Sequence, residues 1–221
     1  MTFYPVAEKF ISINGEGQKA GMIAAFIRMG GCNLSCSYCD TAWANTPDCP
    51  CTDMGAKELL SWLFSSNVKN VTLTGGEPLL IHGISDLITA IGNAGIDVEI
   101  ETNGSVYLKP FCSLHPRPAF TMDYKCPGSG MERFMEHRNF SLLTPKDIVK
   151  FVVSDQNDLK KALEICEKYH LNARCQIYLS AVFGRIEPKE IVSFMITHHW
   201  NAARLQLQMH KFIWPPNQRG V

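Results

Sequence analysis

Apolar positions in this chain shift repeatedly between unbroken runs and a spacing of three to four residues. Residues 23–29 form an apolar run interrupted by a single charge, Arg28, the pattern of a strand covered on both faces. Residues 55–66 repeat leucine at 59, 60 and 63, which predicts a helix with one buried stripe. Residues 71–74 predict a strand running into Gly75, Gly76, Glu77 and Pro78, and residues 84–94 a second helix. Residues 97–101 alternate like a strand and stop at Thr102, Asn103 and Gly104, and residues 120–123 predict a further strand. Residues 148–153 are apolar and rich in β-branched side chains, followed by a helix around 159–169. A strand at 176–179, a helix at 188–199 and a last strand at 205–209, ending at His210 and Lys211, complete the pattern.

Strands alternating with helices predict an α/β fold with a parallel sheet. About six βα units fit in 221 residues, whereas a closed eight-fold barrel takes roughly 250. The expectation is therefore an incomplete, (βα)6-type partial TIM barrel. No repeat, low-complexity tract or long linker divides the chain, so residues 1–221 are read as one domain. In such a sheet the loops leaving the carboxyl ends of the strands gather on one face and build the site.

Those loops carry the chemistry. Cys32, Cys36 and Cys39 follow the first buried strand with C-x3-C-x2-C spacing. Three thiolates on one short loop can hold three irons of a cubane, leaving the fourth iron open to a small molecule. The bland reading is a structural zinc completed by Cys49 or Cys51, although zinc sites favour separated ligand pairs. Cys49 and Cys51 by themselves are too few for a second cluster, and Cys112, Cys126, Cys166 and Cys175 are dispersed as buried thiols would be.

Other candidates read as ordinary turns or as ligands. Gly75 and Gly76 allow close backbone approach, and Glu77 can accept from an amine. Glu101 and Asn103 offer acceptors and a donor to a diol. Asn14, Gly15, Glu16 and Gly17 form a turn in which a flat heterocycle can lie against the main chain while Glu16 accepts from ring N–H groups. Arg28 needs a partner or an anionic ligand within its apolar strand. Thr41 offers a hard oxygen to Mg²⁺ or caps a turn, and His210 reaches the sheet mouth or is solvated.

Composition narrows the classes. Lys+Arg and Asp+Glu number 21 each, so the formal charge is zero, which argues against broad nucleic-acid or anionic-membrane binding. No apolar run approaches the roughly 18 residues of a spanning helix. The first ten residues lack the pattern of a signal peptide. Nine cysteines, an odd number, suit a reducing interior, so the expected location is the cytoplasm.

Taken together, the cysteine triad, the Gly-Gly-Glu-Pro turn and the Glu-Thr-Asn-Gly turn resemble the radical S-adenosylmethionine superfamily over nearly the whole chain. The Asn-Gly-Glu-Gly run, the Asp40-Thr41 pair, the segment from Asp123 to Gly130 and the Leu-Gln-Met-His-Lys ending resemble its branch that makes 7-deazapurines for queuosine. The resemblance implies a [4Fe–4S] cluster on Cys32, Cys36 and Cys39, with S-adenosylmethionine on the open iron. It implies cofactor contacts from Tyr38, Cys39, Asp40, Gly76, Glu77, Glu101, Asn103, Asp123, Tyr124, Lys125 and Ser180. It places 6-carboxy-5,6,7,8-tetrahydropterin against Ile13, Asn14, Gly15, Glu16, Arg28, Thr74, His210 and the carboxylate of Val221, with Mg²⁺ on Thr41. Relatives often have Gln where this chain has Asn14, whose amide is one methylene shorter. Flavodoxin as electron donor and a homodimer are further implications. Left open by the residues alone are an activase of glycyl-radical enzymes, which needs a groove for a protein loop, and a non-catalytic zinc module.

Overall fold

The computed structural model describes residues 2–46 and 48–221. Its nine strands form one open sheet in the order β3-β1-β2-β4-β5-β6-β7-β8-β9. These are β1 (Phe3–Ile13), β2 (Ile23–Met29), β3 (Thr52–Gly55), β4 (Asn70–Gly75), β5 (Asp97–Thr102), β6 (Ala119–Tyr124), β7 (Ile148–Val153), β8 (Gln176–Ala181) and β9 (Ala203–Leu205). From β2 to β9 every neighbour is parallel. Helices α1 (Ala56–Ser66), α2 (Ile84–Asn93), α3 (Lys109–Cys112), α4 (Gln156–Lys168) and α5 (Pro188–Thr197) fill five of the six crossovers, and short 3-10 turns fill the one between β6 and β7. The partial, unclosed barrel is thus the fold expected. Among the described residues no helix is long and apolar enough to cross a membrane.

Strand alternation sorts the side chains into two layers. Val71, Leu73, Val98, Ile100, Phe120, Met122, Val149, Phe151, Ile177 and Leu179 are buried in the hydrophobic core. Helix α2 closes over this layer with Ile84, Leu87, Ile88 and Ile91, each worth about 1.5–3 kcal/mol when fully buried. The alternate positions Arg28, Thr74, Glu101, Asp123 and Lys150 are polar and line one cavity. A complete TIM barrel packs its interior with branched apolar side chains; here the open barrel keeps a polar one.

The sequence reading missed β1 and β3, which extend the sheet as antiparallel strands. Pro5 and the charges at Glu8 and Lys9 mask β1, whose pairing with β2 shifts register between Val6 and Glu8. The expected strand at 205–209 is corrected: β9 ends at Leu205, and the chain leaves the sheet so that Met209 N–H donates to Gly15 O at 3.2 Å. His210 therefore opens a short helix, α6 (His210–Ile213), rather than closing a strand.

Candidate active site

The cavity, about 490 Å³, lies along the carboxyl ends of the parallel strands and under the chain's last residues. Its wall is set by register. Arg28 of β2 is level with Thr74 of β4, and Asp123 of β6 with Lys150 of β7. Thr74 hydroxyl donates to Glu101 at 2.7 Å, linking β4 to β5. Lys150 Nζ bridges Glu16 at 3.0 Å and Asp123 at 3.2 Å, while Lys125 holds the other Asp123 oxygen at 2.6 Å. Although burial opposes charge here, the two lysines pull the Asp123 pKa below the ordinary carboxylate value. Asp123, Glu16 and Glu101 in turn hold Lys150 well above the ordinary lysine pKa against its own burial.

The cysteine loop is anchored before it reaches the cavity. Gly30 N–H donates to Pro5 O and Gly31 N–H to Ala44 O, both at 2.9 Å, and Gly31 O accepts from Glu77 N–H at 2.9 Å. All three thiols line the cavity. Cys32 Sγ is approached by Leu34 N–H at 3.4 Å and Asn103 Nδ2 at 3.5 Å, and Cys39 Sγ by Asn45 Nδ2 at 3.6 Å. N–H groups aimed at sulfur stabilise ligating thiolates and tune a cluster. Asn45 Oδ1 is buried beside them without a hydrogen-bond partner, an acceptor suited to an incoming ammonium group. The residues present therefore fit a cubane with a bound amino acid. Among the described residues no three His, Cys, Asp or Glu side chains converge on a single-ion site.

The glycine turn acts differently from its sequence reading. A Cβ on Gly76 would overlap Gly31 O, and one on Gly75, at φ 137°, would overlap the backbone of Met29. The bare backbone is needed to pack β4 against the cysteine loop, and Gly76 still lines the cavity. Glu77 is fully buried and accepts from Leu79 N–H at 3.0 Å, Thr102 hydroxyl at 2.9 Å and Asn103 N–H at 2.6 Å. Burial pushes its carboxyl up to about 7, against those donors. Its side chain is outside the cavity lining, so the expected side-chain contact with an amine is corrected to support of the Asn103 turn.

Tyr38, Asp40, Thr41, Glu101, Asn103, Asp123, Lys125, Ile13, Gly15, Glu16, Arg28, Thr74, His210 and Val221 come together around the same cavity. Three further expectations do not hold for the side chains. Asn14 turns into the sheet, donating to Asn70 at 3.1 Å and accepting from Thr72 at 2.9 Å, while its main chain pairs with Met22 and Gly21. Tyr124, one residue past Asp123, faces the helix side and donates to Glu132 at 2.8 Å. Ser180 is buried, donating to Gln206 O at 3.1 Å.

The remaining residues keep their exposure to the cavity through specific contacts. Glu8 takes the Nε edge of Arg28 at 2.7 Å. Gly15 lets His210 approach, since a Cβ there would press on its Nδ1 at 2.9 Å. Burial, the largest influence, holds the His210 pKa below its ordinary value and favours a neutral imidazole. Thr41 precedes a 3-10 turn without capping it through its side chain, and its hydroxyl lies 3.7 Å from Cys39 Sγ. Tyr38 donates to Val152 O at 3.0 Å, tying the loop to β7.

Sequence reasoning missed Lys150, Glu8, Asn45 and the contact of Arg219 with the Trp43 ring at 4.0 Å. A lysine inside an apolar β-branched run was the available signal for Lys150, since a buried charge must be paired. Nothing local marks the others.

The Radical SAM superfamily model matches residues 26–120. A 7-carboxy-7-deazaguanine synthase from Clostridium acetobutylicum is 54% identical, covering 99% of both chains. One from Chlorobaculum tepidum is 35% identical over 98% of this chain and 96% of its own. The crystal structure of QueE from Escherichia coli shares the fold at a TM-score of 0.76 and 21% identity, covering 94% of this chain and 95% of that one. By its cysteine triad, its fold and its full-length relatives, this chain belongs to the 7-carboxy-7-deazaguanine synthase family of radical S-adenosylmethionine enzymes.

Proposed function

We propose that this chain, as one radical S-adenosylmethionine domain over residues 1–221, converts 6-carboxy-5,6,7,8-tetrahydropterin to 7-carboxy-7-deazaguanine with release of ammonia. The observation that carries this reading is one cavity lined both by the three thiols and by Arg28, Glu16, Lys150 and His210. That set offers donors to a carboxylate and acceptors to ring N–H groups. A cavity of about 490 Å³ is of a size that takes a small molecule.

Cys32, Cys36 and Cys39 would hold the [4Fe–4S] cluster. When bound, the cluster supplies the electron that cleaves S-adenosylmethionine and starts hydrogen abstraction from the substrate. Asn103 and Asn45 are placed to steady the thiolates, Gly76 with the Asn45 carbonyl would receive the cofactor's amino group, and Glu101 would take a ribose hydroxyl. Tyr38, Asp40, Asp123 and Lys125 border the same cofactor. Because Glu8 occupies only the Nε edge of Arg28, the guanidinium fork is left for the substrate carboxylate. Glu16, fixed by Lys150, accepts from the pterin ring, with Gly15, Ile13 and Thr74 beneath it and neutral His210 beside it. Thr41 would offer its uncapped hydroxyl to Mg²⁺, which when bound would supply charge neutralisation at the substrate carboxylate. Val221 and its neighbours cover one side of the cavity, which would limit the access of water to a reactive species held there. Reduction by flavodoxin, a homodimer and a cytoplasmic location rest on family likeness and composition.

Anaerobic assay of the reconstituted chain with reductant, S-adenosylmethionine, Mg²⁺ and the carboxytetrahydropterin tests the reading. A deazapurine product is expected. Formation of methionine and 5′-deoxyadenosine without it would overturn the substrate assignment.

A further inference from the structure

Cys49 and Cys51 take no part in the reaction proposed above, yet their environment is built. Cys51 N–H donates to Cys49 O at 2.7 Å, a three-residue turn centred on Pro50. Proline presets the φ such a turn uses, so both thiols are turned toward each other before any bond forms. Their sulfurs lie 3.0 Å apart, about 1 Å more than a disulfide bond. Both residues are half-buried and reachable from solvent. Gly30 supplies the second observation. A Cβ there would overlap Cys51 Sγ and lie 3.5 Å from Cys49 Sγ. Gly30 is absent from the positive-φ positions, so its missing side chain serves to seat the two sulfurs.

We infer that Cys49 and Cys51 form a reversible dithiol–disulfide site, closed by exchange with a low-molecular-weight disulfide. Cys49 thiolate attacks one sulfur of the reagent, whose S–S bond breaks and releases one thiol. Cys51 thiolate then attacks the mixed disulfide, displaces the second thiol and closes the ring. The protein pair loses two electrons and two protons, and the reagent gains both as two thiols. The order follows from the pair itself. Burial first, then the hydrogen bond and charge of Cys49, push the Cys51 thiol up to about 11, so Cys51 is slow to attack the reagent and acts second, on the adjacent Cys49 sulfur. The site abuts Gly30, whose chain continues through Gly31 into Cys32, so its redox state changes the wall behind the cluster loop.

The test uses the full chain loaded with cluster, held anaerobically with oxidised glutathione, then alkylated and read by peptide mass spectrometry. The peptide carrying Cys49 and Cys51 should lose two hydrogens, resist alkylation and regain it after dithiothreitol. It should close at least about tenfold faster than Cys112, a single half-buried thiol, becomes glutathionylated. Cys49→Ser and Cys51→Ser should each stop at a glutathione mixed disulfide on the remaining sulfur. A cluster-free Cys32→Ser, Cys36→Ser, Cys39→Ser chain should close the pair as well. Alkylation of the pair at the rate of Cys112, arrest of the unaltered chain at the mixed disulfide, or failure to close in the cluster-free chain would each overturn the inference.

Discussion

Replacing Lys150 with methionine isolates the charge at the centre of the site. Methionine fills a similar volume, so the change removes the cation more than the packing. Asp123 keeps Lys125 at 2.6 Å, but Glu16 loses its 3.0 Å partner and retains only the Ser180 hydroxyl at 3.5 Å. Removing one member of a buried pair costs about 3–5 kcal/mol. The lower end applies here, because Asp123 stays paired. For a chain of this size about 3 kcal/mol lowers Tm by roughly 6–12 °C. The sign with pH follows. In the unaltered chain the lowered Asp123 pKa gives stability present above its unfolded value and lost as pH falls. Lys150 is also the largest charge offsetting burial at Glu101, whose pKa already stands above the ordinary carboxylate value. Without it Glu101 gains a proton more readily in the folded state, so the variant's deficit should shrink as pH falls from 8 towards 5. Urea unfolding of the cluster-free chain across that range measures both. A deficit under about 1 kcal/mol at pH 8, or one unchanged at pH 5, would refute the account of the buried network.

Gly76→Ala should drive a methyl group into Gly31 O; the expected result is loss of bound iron together with stability, read by iron content and absorbance near 400 nm. Glu77 titrates near 7 in the folded state against an ordinary value of 4.5, so it binds more protons folded than unfolded between them. Its contribution falls by about 3 kcal/mol as pH rises through that window, and the stability gap between the unaltered chain and Glu77→Gln should narrow accordingly from pH 5 to pH 8. Removing residues 216–221 deletes the Arg219 contact on Trp43 and part of the cavity wall; KM for the carboxytetrahydropterin should rise at least about tenfold while iron content holds, which steady-state kinetics and iron analysis resolve.

The parallel strands were legible because each carries its own signal. Ile23–Met29 and Ile148–Val153 are apolar on both faces or nearly so, and the loop behind the first bears Gly30, Gly31 and the three cysteines. Strand β1 was not, since Pro5 and the adjacent charges Glu8 and Lys9 resemble an edge, and its second partner, β3, lies beyond the cysteine loop. The site divides the same way. Asp123 and Tyr124 are neighbours in a motif, yet the strand's period of two sends one to the cavity and the other to the helices.

By itself the sequence determined the class of chemistry and its address: three thiols on one loop, and turns at strand ends that must share a face. Only the tertiary structure decided which atoms of those turns remain free. Asn14 and Glu77 spend their hydrogen bonds within the sheet, while Lys150, unmarked by any motif, reaches Glu16 across 134 residues. Local sequence sets backbone conformation and side-chain direction along one strand. Pairing of buried charge is settled by strand order and register, which bring distant residues together.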